Sequence, residues 1–194
     1  MRDSHRDAGR TAVTRKLWEE SLEIAKQLRP RLAAKGILFD GHSEVTLLWD
    51  EEANGRPVPC RARLDHIKDN HIWDLKITGD ANPRTLRAGH ITNMGYEIQS
   101  ACYLSGAAAV LANMRGRLDY TLVFCEWEAP YCVTLVRASG SLRRLGEQRW
   151  KRAVESWEYC NRHNEFPDYT GRDEVVFVDA KPWDLDAEAG ETAA

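Results

Sequence analysis

Apolar positions recur at helical spacing in three regions of the chain and at strand spacing in six, and their order sketches a fold. Between residues 14 and 35, Trp18, Leu22, Ala25, Leu28 and Leu32 return every three or four positions, which predicts one amphipathic helix. Thr14 is placed to cap it and Gly36 to terminate it, while Pro30 is placed to kink it or end it early. The run SEVTLLW (43–49) reads as a strand, and EEANGRPVP after it as a loop. Strands at 60–67 and 71–78 flank a turn at Asp69–Asn70, residue types suited to tight reversals. GDANPRT then leads into a helix over about 83–112, with a break at Gly95 or Gly106. Strands follow at 119–127 and 131–138. A long helix capped by Ser141 runs to about Asn161, with Leu142, Leu145, Trp150, Val154 and Trp157 as its apolar positions. A last short strand is expected in DEVVFV, at 173–178.

Helix, three strands, helix, two strands, helix is the order of an α/β fold with a mixed central β-sheet flanked by helices. No glycine-rich phosphate loop follows any strand, which argues against a dinucleotide-binding domain. One domain is expected over 13–179, between a disordered tail at 1–12 and an acidic mobile tail at 180–194.

Composition narrows the class only a little. A chain that is 43% hydrophobic and 29% charged has the balance of a soluble globular protein. It lacks a run of about 18 apolar residues, so no membrane span is expected. The polar, acid-bearing start MRDSHRDAGR is unlike a signal peptide, and the expected location is cytoplasmic. Five cysteines with no CxxC pair argue against a zinc site, an iron–sulfur cluster or a disulfide framework. A net charge of −3 announces no nucleic-acid binder, but metal ions can offset active-site carboxylates in an acidic nuclease.

Candidate chemistry concentrates in CRARLDHIKDNHIWDLKIT, residues 60–78. On a strand, Asp74 and Lys76 share a face while Leu75 points the other way, into the core. The turn at 69–70 folds Asp65 back toward them. Two carboxylates and an ammonium on one solvent-facing patch suit a divalent cation, with a surface salt-bridge cluster as the alternative. Further along, Gln99 and Tyr103 lie four apart and share a helix face. Glu44 shares a strand face with His42 and Thr46, as an additional metal ligand or an edge charge. Arg61 and Arg63 fall on Asp65's face, to hold its carboxylate or meet phosphates. Arg84 and Arg87 open the Gln99 helix, a place for a phosphate clamp or simply a solvated helix start. His66, His71 and His90 lack HxH or HxxxH spacing and read as neighbours of the site. The tryptophans read as core.

The D-x8-D-x-K spacing of Asp65, Asp74 and Lys76 resembles the PD-(D/E)xK nuclease superfamily, with Leu64 where proline is usual. The Q-x3-Y pair Gln99–Tyr103 looks like its RecB-type branch. The ordered set SEVTLLW, CRARLDHI, WDLKIT, GYEIQSACYLSG and FPDY resembles the domain of RecE-type, exodeoxyribonuclease VIII-like enzymes over roughly residues 40–170. The resemblance implies that Asp65, Asp74 and the backbone carbonyl of Leu75 bind one or two Mg²⁺ or Mn²⁺ ions. It implies that Lys76 positions the attacking water and stabilises charge on the phosphate, and that Gln99 and Tyr103 contact the DNA backbone or brace the lysine. The implied activity is a metal-dependent DNA exonuclease at linear duplex ends, in phage-type recombination or DNA repair. Implied partners are double-stranded DNA ends, a single-strand annealing protein and further copies of the chain in a ring. The alternatives are a weakened nuclease fold that binds DNA or a partner without cutting, and a related endonuclease. One departure stands out: relatives carry an N-terminal helix with a G-x3-H-like motif, and this chain has no histidine between His5 and His42.

Overall fold

The computed structural model describes residues 12–38, 40–111, 118–168, 175 and 177–180. Helix α1 (Arg15–Ala33) begins where Thr14 Oγ1 accepts the Leu17 N–H at 3.2 Å. Pro30 sits within the helix and does not end it. The chain turns at Gly36 (φ +80°), where the Ile37 N–H reaches back to the Leu32 carbonyl at 3.0 Å.

Strands β1 (His42–Ala53) and β2 (Arg56–Lys68) are longer than their alternation suggests, because the expected loop at 51–59 is a hairpin. Asn54 and Gly55 both take positive φ, +53° and +71°, as a two-residue reversal matched to strand twist requires. Pro57 and Pro59 hid this. They pair with Glu52 and Asp50 of β1, where β2 has no second neighbour and a missing N–H costs no ladder bond.

Strand β3 (His71–Thr78) pairs antiparallel with β2 through His66↔Trp73, Ile67↔Ile72 and Lys68↔His71. It then pairs parallel with β4 (Asp119–Glu126), and β5 (Val133–Val136) adds antiparallel, for a mixed sheet in the order β1-β2-β3-β4-β5. Between β3 and β4 the helical region is divided. Pro83–Thr85 and Ile91–Asn93 are single α-turns around a π-helical turn, Leu86–His90, and α2 (Tyr96–Val110) starts after Gly95 at φ +69°. The break therefore falls at Gly95. Gly106 serves packing instead, since a Cβ there would come within 2.7 Å of the Trp49 ring; its bare Cα lets α2 lie against β1. Helix α3 (Gly140–His163) is capped by Ser139, not Ser141, since Ser139 Oγ accepts the Leu142 N–H at 3.3 Å.

Both sheet faces are covered around β3 and β4. Ile72 joins Tyr120, Leu122 and Phe124 in the core beneath α2, whereas Trp73, Leu75, Val123 and Cys125 meet Leu28, Leu32 and Ile37 from the α1 side. The chain divides into two compact units, Met1–Ser156 and Trp157–Ala194. In the second unit the Trp157 and Phe166 rings lie 6.1 Å apart, and the Arg162 guanidinium lies 5.9 Å from the Tyr159 ring. The tails expected at 1–12 and 180–194 fall outside the described residues apart from Ala12 and Ala180. Of the strand expected at 173–178, the described Val175, Phe177 and Val178 are exposed and form no strand. No helix among the described residues is long and apolar enough to cross a membrane.

Candidate active site

The β2–β3 ladder stops at His66↔Trp73, and the same register continued by one step sets Asp65 opposite Asp74. There the strands part, and Asp65 Oδ2 instead accepts the Leu75 N–H at 2.7 Å. Two like charges face to face destabilise a sheet unless something positive lies between or beside them. Lys76 supplies one such charge, with its Nζ 2.5 Å from Asp74 Oδ2.

This patch does not face solvent, as the sequence suggested. Asp74 is 1% exposed and the Lys76 side chain 16%, because both point beneath α2. Both Asp74 oxygens are buried without a well-directed hydrogen bond, and so is the Tyr120 hydroxyl. Burial, helped by the neighbouring Asp65 charge and opposed by the Lys76 ammonium, holds the Asp74 carboxyl above its ordinary pKa. Burial likewise raises the Tyr120 phenol, with the Asp74 charge adding to the effect.

Helix α2 supplies the roof. Tyr96, Gln99 and Tyr103 are spaced three and four apart, so one helical face carries all three. Lys76 Nζ lies 4.9 Å from the centroid of the Tyr96 ring, within cation–π range. Gln99 Nε2 donates to the Tyr103 hydroxyl at 2.9 Å, and the Tyr103 ring meets Tyr120 edge-on at 6.3 Å. Burial raises the Tyr103 phenol while its bond from Gln99 opposes the rise; the charges of Asp74 and Asp65 also lift it. Behind Tyr96, Phe124 and His90 close an aromatic wall with centroid separations of 5.8 and 6.1 Å. Tyr96 was legible from its spacing to Gln99 but was not singled out. Tyr120 was not legible, because only the parallel β3–β4 register brings it here.

Asp65, Asp74, Lys76, Gln99 and Tyr103 thus come together, and other expected residues lie elsewhere. Glu44 takes φ +57°, and its exposed carboxylate pairs with Arg63 Nε at 2.5 Å, away from Asp74. Arg63 is consequently engaged with Glu44 and not with Asp65. Arg61 is exposed opposite Leu48 on β1. Arg84 and Arg87 are exposed but do not open the Gln99 helix. They belong to the short turns before Gly95, and Asn82 Oδ1 already accepts the Arg84 N–H. His66 bonds Ser43 at 2.9 Å and His71 bonds Thr121 at 2.8 Å, so both histidines have structural partners.

The donor set fits a hard divalent cation. Asp65 and Asp74 offer carboxylate oxygens, those of Asp74 buried beside the Lys76 ammonium and the Tyr120 hydroxyl, and Leu75 offers a main-chain carbonyl from between Asp74 and Lys76. Magnesium accepts so few protein ligands because it retains several waters. Among the described residues no group of three or more His, Cys, Asp or Glu side chains is placed to hold a metal, so a cation here would rest on the two aspartates.

A mixed sheet with two carboxylates and a lysine beside a parted hairpin, under a helix bearing Gln and Tyr, is the arrangement of a PD-(D/E)xK-like domain. The chain belongs to the family described as PDDEXK-like domain of unknown function (DUF3799), which it matches over residues 4–177. Its fold is similar to that of a protein from Eubacterium rectale described as a "Putative exonuclease". That match has a TM-score of 0.58 at 14% identity and covers 87% of this chain. The chain spans 65% of that neighbour's length. The structure of SSO0001 aligns over 63% of this chain and 55% of its own at 18% identity, with a TM-score of 0.36, too low to indicate a shared fold. No curated protein matches the chain.

Proposed function

We propose that this chain is a divalent-metal-dependent deoxyribonuclease acting at the ends of linear duplex DNA. The observation that carries the reading is Asp74, a carboxylate buried to 1% exposure, set opposite Asp65 and 2.5 Å from Lys76. Phosphodiester hydrolysis needs an in-line water and positive charge on the phosphoryl oxygens in the transition state. A divalent cation held by Asp65, Asp74 and the Leu75 carbonyl supplies that charge when bound. Lys76 Nζ lies between Asp74 and the Tyr96 ring, where it would hydrogen-bond the attacking water and one phosphoryl oxygen. The Gln99–Tyr103 pair forms the adjoining wall of the cleft, and each offers a donor to a DNA phosphate.

The test is digestion of linear duplex labelled at its 5′ or 3′ end, with Mg²⁺, Mn²⁺ or EDTA, beside a circular duplex. Metal-dependent loss of end label is expected, with the circle intact and the activity of Lys76→Ala lower by about 10²–10³-fold, the loss typical of a key electrostatic group. A wild-type rate in Lys76→Ala would sink the site assignment, and cutting of the circle would replace exonuclease with endonuclease. The lack of a third side-chain ligand among the described residues favours a second reading, a weakened fold that binds DNA without cutting. Folded protein that binds duplex but cleaves with no metal would establish it.

A further inference from the structure

Among the buried polar groups of the cleft, Tyr120 has no part in the hydrolysis proposed above. The parallel register sets Tyr120 beside Ile72, Leu122 beside Asp74 and Phe124 beside Lys76, so strand alternation turns these side chains to the α2 face of the sheet. Lys76 is two residues ahead of Asp74 on β3, and Tyr120 lies one diagonal step behind it on β4. The carboxylate is therefore flanked by an ammonium and a phenol. Tyr120 is 7% exposed, and its hydroxyl is buried without a well-directed acceptor. Tyr103 does not supply one, since the two rings meet edge-on and the Tyr103 hydroxyl is engaged by Gln99.

A hydroxyl in that position is destabilising unless something accepts its proton. Leu122 and Phe124, next along the same face, pack into the same core with no polar side-chain atom. A phenylalanine at position 120 would satisfy the packing equally, so the hydroxyl answers to its anionic neighbour, Asp74. That carboxylate has room for another donor. It offers about four lone-pair sites, and the Lys76 ammonium lies against only one of its oxygens, Oδ2. Burial raises the Asp74 pKa most, and the Tyr120 hydroxyl is among the groups that work against the rise.

We propose that Tyr120 is a positioning residue for Asp74, its hydroxyl donating to the carboxylate and fixing the direction in which the remaining lone pairs point toward a divalent cation. The assignment rests on the metal reading of the site and deepens it. Tyr120 acts through Asp74 and touches neither water nor phosphate. Partners that orient a metal's ligands in this way typically contribute about 10–100-fold in metal affinity.

Calorimetric titration of the full chain with Mg²⁺, and with Mn²⁺, tests this beside thermal unfolding in EDTA. Tyr120→Phe keeps the ring and its contact with Tyr103. It should weaken Mg²⁺ binding by about tenfold or more, while melting no lower than the wild type in EDTA. Tyr103→Phe removes a nearby hydroxyl that Gln99 already engages, and should leave the Mg²⁺ affinity as it is. A Tyr120→Phe protein that binds both ions as tightly as the wild type would overturn the assignment and leave the metal site standing. A lower melting temperature in EDTA would overturn it too, since the hydroxyl would then serve the fold without any metal. Equal weakening by Tyr103→Phe would do the same, by making the effect common to both tyrosines. A wild type that takes up neither ion would overturn the metal reading, and this assignment with it.

Discussion

Burying Asp74 to 1% exposure beside a single ammonium and a second carboxylate stabilises nothing by itself, since desolvation opposes the charged form and Asp65 repels it. A bound cation reverses that balance. Mg²⁺ should therefore raise the melting temperature of the wild type, by the equivalent of about 2.7 kcal/mol at a hundredfold excess over its dissociation constant. Asp74→Asn should abolish the metal response and melt no lower than the wild type in EDTA. Calorimetric unfolding of both proteins with and without Mg²⁺ checks this, and an undiminished response in the variant would move the metal elsewhere. Tyr96 makes a second residue-scale prediction. If its ring fixes the Lys76 ammonium, Tyr96→Leu should lower kcat about tenfold, since a cation–π contact contributes about 0.5–2 kcal/mol, with little change in KM. Tyr96→Phe keeps the ring and should restore kcat. A phenylalanine variant as slow as the leucine one would assign the effect to the hydroxyl. That Asp65, Asp74 and Lys76 come together was legible because D-x8-D-x-K spans two strands around one turn. Its burial was not, because exposure depends on where α2 packs.

At the scale of elements, one carboxylate ties three of them together. Glu51 of β1 accepts the Trp49 indole at 2.9 Å, the Ser105 hydroxyl of α2 at 2.5 Å and the Trp150 indole of α3 at 3.0 Å. Burial works to raise its pKa, but these donors outweigh it and the pKa lies below the ordinary 4.5. With the folded pKa depressed, its stabilisation is complete above about 4.5 and is lost as the pH falls through the folded value. Glu51→Ala should cost about 2 kcal/mol at neutral pH, because two indoles and a hydroxyl lose their acceptor. The wild-type advantage should shrink below pH 4.5, which urea unfolding across pH would measure. An advantage independent of pH would mean packing, not charge, holds the joint. This joint was hidden in EEANGRPVP. Asn54–Gly55 is a hairpin signal, but two prolines made the segment read as a loop, and only the one-sided pairing of β2 reconciles them. Helix α2 was partly legible for a similar reason. Gly95 and Gly106 are alike as residues, and the Trp49 ring decides which is a break and which a contact.

For the molecule as a whole, the mixed sheet with helices on both faces followed from the order of periodic segments. The β3–β4 pairing did not, since a parallel pair joined by a crossover leaves no local signal of register. Charge also becomes informative only at this scale. With 27 basic and 30 acidic residues the chain has no net attraction for DNA, so binding must come from where its cations sit. Lys76 is in the cleft, and Arg61, Arg84 and Arg87 are exposed on the same unit. If these groups replace counterions along one strand of a bound duplex, affinity in Ca²⁺ should fall linearly with salt on a logarithmic plot. Three or four phosphate contacts predict a slope of about −3, near 0.9 for each phosphate. Arg87→Glu should make the slope shallower by about one and weaken all sequences alike, since phosphate contacts carry no base information. Fluorescence anisotropy of a labelled duplex between low and moderate salt reads both numbers. A flat response would argue against DNA as the substrate while leaving the proposed metal site untouched, because Asp65 and Asp74 lie together whatever polymer the cleft accepts.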